Sequence, residues 1–153
     1  MKKLLGIVVL GLFLIIGKSN AALNGIDKIN ILLEDLGEHA EKCGLSESEI
    51  TTSIKYILQN SKIKIIPLSD YKEPTLYVRV FLGFNESGGG FCYGSAKLEV
   101  YQLGSYNGRS ADIVYYSNSR IAAGGNKDAF GNFVIGQIES MTKRFVVKWS
   151  EDN

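Results

Sequence analysis

Apolar residues recur every three to four positions in two stretches of the chain, and this spacing predicts two helices. The first stretch carries its apolar residues on one helical face: Ile50, Ile54, Ile57 and Leu58. Ser46 and Glu49 have the spacing of a capping box, and Asn60 suits the left-handed conformation that ends many helices, so this helix is predicted over residues 46–59. A second helix, over residues 133–149, has its own apolar face: Val134, Ile138, Met141, Phe145 and Trp149.

Strict alternation of apolar and polar residues predicts strands between these helices and before them. Five strands are predicted, over residues 28–35, 63–66, 75–84, 92–103 and 111–117. Asn107-Gly108 is the favoured pair for a tight reversal, so the last two strands should form a hairpin. Residues 119–128 are predicted to be irregular, although residues 120–123 could prolong the last strand.

Residues 28–42 fit two patterns at once. Ile29, Leu32 and Leu33 belong to a helical stripe, whereas Ile29-Asn30-Ile31 begins a strand-like alternation. Gly37 would interrupt a long helix at a cost of about 1 kcal/mol. We therefore expect a strand over residues 28–35, followed by a turn or short helix to Cys43.

The predicted order of elements is β-α-β-β-β-β-α. Adjacent strands with hairpin-length connections are typical of an α+β domain, here a mostly antiparallel sheet of about five strands with two helices packed on one face. The first strand–helix–strand passage would add a parallel pair through a right-handed crossover. Residues 22–153 are predicted to form this single domain.

The first 21 residues have the order of a secretory signal peptide. Lys2 and Lys3 precede an apolar run over residues 4–16, and Ser19-Asn20-Ala21 offers a small residue for cleavage. The alternative is a retained membrane anchor, but a spanning helix needs roughly 20 apolar residues and this run is shorter. We expect cleavage near Ala21, a periplasmic or secreted product, and no stable membrane insertion afterwards.

Charge and cysteine content narrow the class of protein further. Without residues 1–21 the chain has 14 basic and 16 acidic residues, a net charge of −2, so no nucleic-acid partner is expected. The chain has two cysteines, Cys43 and Cys92, and an even number of cysteines in an exported protein predicts a disulfide bond. The alternative is two free, buried thiols. The bond would close a loop of about 50 residues and contribute about 4 kcal/mol to stability. With two cysteines and one histidine, no metal site or other cofactor is expected.

The segment ILLEDLGEHAEKCGLSESEITTSIKYILQNSKIKIIP, followed by PTLYVRVFLGF, resembles small bacterial exported proteins. Its strand–helix–strand layout is similar to the amino-terminal domain of the Tol-system beta-propeller protein. The resemblance covers about the first half of the chain after residue 21. The resemblance implies a periplasmic α/β sandwich that contacts other envelope components. It assigns no catalytic residues to this chain. The propeller has no counterpart in this sequence.

Residues suited to catalysis do not form a recognisable motif. His39 has no serine of a G-x-S-x-G elbow to activate, and a solvated surface histidine is the better interpretation. Gly88-Gly89-Gly90 lacks the lysine and hydroxyl residue of a P-loop and is predicted to be a flexible hairpin loop. An acidic cluster does not follow the spacing of a calcium loop: Glu34, Asp35, Glu38 and Glu41.

The most suggestive feature is a set of aromatic and charged residues that alternation places on one side of the sheet. They are predicted to form a binding surface: Tyr77, Arg79, Phe81, Tyr93 and Tyr101. If both helices cover the opposite, aliphatic side, this surface is exposed, and exposed aromatics beside arginine are typical of binding sites. The alternative is cross-strand aromatic pairing that only stabilises the sheet.

The sequence therefore predicts an exported binding or protein-interaction module, whose partner is an unidentified envelope protein or peptide. One alternative is a small periplasmic hydrolase that uses the acidic cluster. Another is an inhibitor of a secreted enzyme that presents a rigid loop at residues 88–91. We expect Tyr77, Arg79 and Tyr101 to be accessible to solvent; if the carboxy-terminal helix crossed to their side, they would be core residues instead.

Overall fold

The sequence patterns fold into the predicted α+β order. The computed structural model describes residues 23–68, 72–88, 90–124 and 127–153, so the predicted signal peptide lies outside the described residues. The strands and α-helices of the described part are β1 Lys28–Leu33, α1 Glu47–Gln59, β2 Lys64–Ile65, β3 Thr75–Asn85, β4 Phe91–Tyr106, β5 Arg109–Gly124 and α2 Lys127–Asp152. Two short 3₁₀ helices, Glu41–Cys43 and Glu86–Gly88, lie in the connections.

The strands form one mixed sheet in the order β2-β1-β3-β4-β5. β1 is parallel to both of its neighbours, whereas β3, β4 and β5 are joined by antiparallel pairing. α1 is the crossover between β1 and β2, as the short strand–helix–strand passage predicts. The second parallel pair, between β1 and β3, goes beyond the single pair predicted.

Both helices pack on the aliphatic side of the sheet, here called the inner face. Leu76, Val78, Leu98 and Val100 are fully buried there. The helices contribute equally buried side chains: Ile50, Ile54 and Leu58 from α1, and Ile138, Met141 and Phe145 from α2. Tyr116 of β5 meets Phe145, with 5.6 Å between ring centroids. No helix of the described residues is long and apolar enough to cross a membrane.

The bounds of α1 are predicted well, but the chemistry of its ends is different. Ser46 is the extended N-cap residue, yet its side chain makes no capping hydrogen bond and lies 2.7 Å from the hydroxyl of Ser48. Asn60 ends the helix with φ −84° rather than in the left-handed region. Its side-chain amide donates to the carbonyl of Tyr56 at 2.8 Å. The prediction of a capping box with a left-handed end is therefore wrong in detail.

The β4–β5 hairpin is longer than predicted. Asn107 and Gly108 form the tight reversal, with φ of 50° and 73°. β5 continues to Gly124, so the prediction of an irregular segment from residue 119 is wrong and the alternative, that residues 120–123 prolong the strand, is confirmed. Pairing with β4 extends as far as Cys92↔Gly124. α2 also begins before residue 133, because Phe130 anchors its first turn in the core.

The predicted disulfide bond is present. Cys43 and Cys92 are bonded, with their Cα atoms 5.8 Å apart, and both residues are buried. The bond joins the 3₁₀ helix after β1 to the start of β4. It therefore ties the segment that leaves the end of β1 to the middle of the sheet.

Candidate binding site on the outer sheet face

The side of the sheet that faces away from the helices, here called the outer face, contains all five residues of the predicted binding surface. They alternate with buried inner-face residues along β3 and β4. The pairing register sets Tyr93 opposite Gly83 and Tyr101 opposite Thr75. The five residues are therefore divided into two groups, one at each end of the β3–β4 pair.

The first group, here called the tyrosine end, consists of Tyr77, Tyr101, Arg79 and Glu34. The rings of Tyr77 and Tyr101 meet edge to face, with 6.0 Å between centroids and an interplanar angle of 80°. Glu34, just after β1, accepts a hydrogen bond from the Tyr77 hydroxyl and pairs with Arg79 Nε at 3.1 Å. Arg79 is exposed, as expected, but both tyrosines are only partly accessible. Their contacts with each other and the contact of Tyr77 with Glu34 contribute to this shielding.

Glu34 also determines the protonation of its tyrosine neighbour. Its hydrogen bond, followed by burial and by its negative charge, raises the pKa of Tyr77 to about 12, while Arg79 acts in the opposite direction. The hydroxyl therefore stays protonated, and remains a donor to Glu34, to a higher pH than an ordinary tyrosine. This arrangement suits a fixed structural contact rather than proton transfer.

The second group, here called the open end, consists of Phe81, Tyr93 and Ile121. Their exposed fractions are 61%, 47% and 86%. Phe81, Ser95 and Ile121 form one row across β3, β4 and β5, because the register pairs Ser95 with both other residues. The Tyr93 ring lies against Gly83 so closely that a Cβ added there would clash with its Cζ atom. The result is an apolar patch that spans three strands.

Ile121 is the one member of this patch that the sequence did not predict. It lies in the segment that was expected to be irregular, and only its pairing with Ser95 places it beside Phe81. The alternation of Ser119, Ile121 and Ala123 was the available sequence signal. It was weak because small residues on both faces carry little hydrophobic contrast.

The outer face is closed where β1 and β3 begin. Asn30 and Thr75 lie opposite each other in the parallel register, and both are fully buried. The Asn30 side chain has no hydrogen-bond partner within the described part of the chain. Phe81 and Ile121, at the open end, are the most exposed apolar side chains of this face, and Leu103 and Val114 beside Tyr101 are 41% and 45% exposed.

The carboxylates of the acidic cluster make separate contacts in the structure. Glu34 is engaged with Tyr77 and Arg79, and the Asp35 carboxylate accepts a hydrogen bond from the Gly37 amide at 2.8 Å. Glu38 is 88% exposed and lies 3.7 Å from His39 Nε2. Among the described residues, no group of three or more His, Cys, Asp or Glu side chains converges to hold a metal ion.

Comparison with known proteins does not assign a family. No protein-family model matches the chain, and no curated protein does. Among solved structures, a minor lipoprotein from Acinetobacter baumannii is 13% identical with a TM-score of 0.35, and the match covers 80% of this chain and 83% of that one. A hypothetical protein from Chlamydia trachomatis is 10% identical with a TM-score of 0.42, over 81% of this chain and 98% of that one.

Rare lipoprotein B from Shewanella oneidensis is 11% identical with a TM-score of 0.31, and the match covers 81% of this chain and 91% of that one. All three structures are of bacterial proteins, and two carry the name lipoprotein. None of the three is a Tol-system protein, so the resemblance to that amino-terminal domain stays a prediction. Likeness at this level carries no argument about function, which has to rest on the geometry of the chain itself.

Proposed function

We propose that this chain is an exported protein-interaction module of the cell envelope, and that a partner protein or peptide binds its outer face at the open end. The observation that carries the proposal is the row of Phe81 and Ile121 with Tyr93 beside it, all exposed on adjacent strands. Export and an envelope location rest on the signal-peptide pattern of residues 1–21.

Two features support a binding role for this patch. Both helices pack on the inner face, so the sheet already has a complete core without these side chains. Contiguous exposed apolar residues are uncommon on monomeric proteins and usually mark an interaction site. The neighbouring Arg79 adds a cation beside aromatic rings, the combination that is enriched in interface hot spots.

The alternative functions have less support. A hydrolase that uses the acidic cluster would need carboxylates that are free to act on a substrate. Glu34, Asp35 and Glu38 line one open cavity, but the carboxylates of Glu34 and Asp35 are engaged in hydrogen bonds and that of Glu38 is 88% exposed. An inhibitor would need a protruding rigid loop at residues 88–91, which includes a residue outside the described ranges. The interaction module is therefore the better-supported function.

The experiment compares the protein without residues 1–21 with a variant in which Phe81, Tyr93 and Ile121 are all replaced by Ser. We expect the parent protein to retain a specific partner from envelope extract, or to self-associate in sedimentation velocity, and the variant to lose that interaction. Thermal unfolding should show that the variant is folded, because the three side chains are largely exposed.

Tyr56→Ser provides the matched control. Tyr56 is 69% exposed on α1, away from the sheet, so its replacement removes an exposed aromatic residue of the same kind without touching the outer face. Equal loss of binding in this control would contradict the proposal. So would full retention of the interaction by the triple variant.

A further inference from the structure

A second candidate site lies where β1 ends beside β3. β1 stops at Leu33, whereas β3 continues to Asn85. The parallel register ends at Leu33↔Val78, and the Glu34 amide donates to the Val78 carbonyl at 2.9 Å just beyond it. No strand of the described residues pairs with this side of β3 after Val78.

The backbone of β3 presents hydrogen-bonding groups along this unpaired edge. The N–H and C=O groups of successive strand residues point alternately to the two neighbouring strands. Since Val78 directs its carbonyl toward β1, Val80 and Leu82 direct their N–H and C=O groups to the same side. Unpaired groups of this kind form a template for another extended chain.

The chain after β1 leaves a gap at this edge instead of filling it. Gly37, with φ 75°, and the hydrogen bond from its amide to Asp35 turn the chain away from β3. The segment returns at Lys42, whose Nζ lies 5.3 Å from the centre of the Phe84 ring. Between these points is an open cavity of about 250 Å³, lined by residues 34–39 on one side and residues 79–82 on the other.

The rim of this cavity is negatively charged. Its lining contains three carboxylates, those of Glu34, Asp35 and Glu38, against one arginine and one histidine, Arg79 and His39. Arg79 is paired with Glu34, and His39 Nε2 lies 3.7 Å from Glu38, so the acidic side chains outnumber the basic ones. Charge complementarity therefore favours a basic ligand over an acidic one.

We infer that this cavity is a strand-addition slot, in which a short extended segment of a basic peptide pairs with the backbone of Val80 and Leu82. The backbone edge selects an extended peptide, and the rim selects lysine or arginine side chains. The slot is bounded by Val78 and Phe84, so it accommodates only a few residues and binding is weak. The inference does not rest on the proposed function, because pairing uses the backbone of Val80 and Leu82; Phe81 lines both the cavity and the open end, whereas Tyr93 and Ile121 belong to the open end alone.

The test is a titration of the isotopically labelled protein without residues 1–21, observed by amide NMR. The probe is a capped six-residue peptide of alternating lysine and valine; the control is its counterpart with glutamate in place of lysine. We expect the lysine peptide to shift the amides of Val80, Leu82 and residues 34–39, and the glutamate peptide to leave them unchanged. A proline in the middle of the lysine peptide should abolish the shifts, because it removes a ladder donor.

A charge-reversal variant provides the second arm. Glu38→Lys changes an 88% exposed side chain and should weaken binding of the lysine peptide by roughly two- to fivefold, the range of an exposed ion pair. The matched variant Glu151→Lys alters an exposed carboxylate at the end of α2 and should leave binding unchanged. No shifts with the lysine peptide, equal shifts with both peptides, or shifts confined to Tyr93 and Ile121 would each overturn the inference.

Discussion

The two ends of the outer face have the same alternating pattern but different surroundings. At the tyrosine end, Tyr77 and Tyr101 pack edge to face, and Glu34 ties the Tyr77 hydroxyl and Arg79 together. At the open end, Phe81 and Tyr93 are 61% and 47% exposed and continue into Ile121 on the next strand.

The difference between the ends comes from one residue outside β3 and β4. Glu34 reaches the tyrosine end because β1 runs parallel to β3 and ends beside Val78. After Val78, β3 has no parallel neighbour in the described part of the chain, so no side chain from β1 takes the position beside Phe81 that Glu34 takes beside Tyr77. Aromatic residues on this sheet face are thus held in structural contacts where a distant segment supplies a partner, and they stay exposed where none does.

The largest effect is expected from the covalent link that anchors the segment carrying Glu34. Replacing Cys43 and Cys92 together with Ala should lower the free energy of unfolding by up to about 4 kcal/mol, and by less if the unfolded chain is compact. Urea denaturation of both proteins under oxidising conditions measures the change. Two free thiols in the denatured, unreduced parent would contradict the expectation.

Truncation of one aromatic residue at each end tests the comparison directly. Tyr101→Ala removes a half-buried ring and its contact with Tyr77, and it should cost about 1–3 kcal/mol of stability. Phe81→Ala removes an exposed ring and should change stability by no more than about 0.5 kcal/mol. Chemical denaturation of the two variants provides the measurement. Equal losses would show that the two ends do not differ in structural role.

The ion pair between Glu34 and Arg79 should have a smaller effect. Their side chains are 40% and 60% exposed, so a double-mutant cycle with Glu34→Gln and Arg79→Ala should give a coupling of about 0.2–1 kcal/mol. High salt should reduce the coupling, because exposed charges are screened. A coupling that is unchanged by salt would indicate that the contact is more deeply buried than the structure shows.

The hydrogen bond between Tyr77 and Glu34 should make stability depend on pH only in the alkaline range. The pKa of Tyr77 is raised from 10.0 to about 12, so the folded state retains the proton after the unfolded chain has lost it. This contribution is fully present below pH 10 and is lost as the pH rises toward 12. Tyr77→Phe should remove this part of the pH dependence, whereas Tyr93→Phe should retain it. The measurement is the urea denaturation midpoint of the parent protein and of both variants across this pH range. An equal pH dependence in the parent and in Tyr77→Phe would contradict the expectation.

Local sequence patterns account for much of the fold. The apolar stripe of α1, the alternation in β3 and β4, the Asn107-Gly108 turn and the pairing of the two cysteines were all readable from the chain. Each depends on residues close together in sequence, or, for the cysteines, on there being only one possible pair. The same alternation assigned five residues to the outer face, but it could not tell which of them would find partners.

What the sequence determined by itself was therefore the type of each main element and the side of the sheet that each residue occupies. The extension of β5 over residues 120–123 was one of two possibilities in the sequence, and pairing with β4 decided between them. Tertiary structure alone decided that Ile121 lies beside Phe81, that Glu34 binds the Tyr77 hydroxyl and that the edge of β3 is unpaired at Val80 and Leu82. The physical reason is that these features depend on strand register and strand length, which are set by hydrogen bonds between segments far apart in the chain. A local pattern specifies a face with period two, but only the neighbouring strand specifies what lies opposite it.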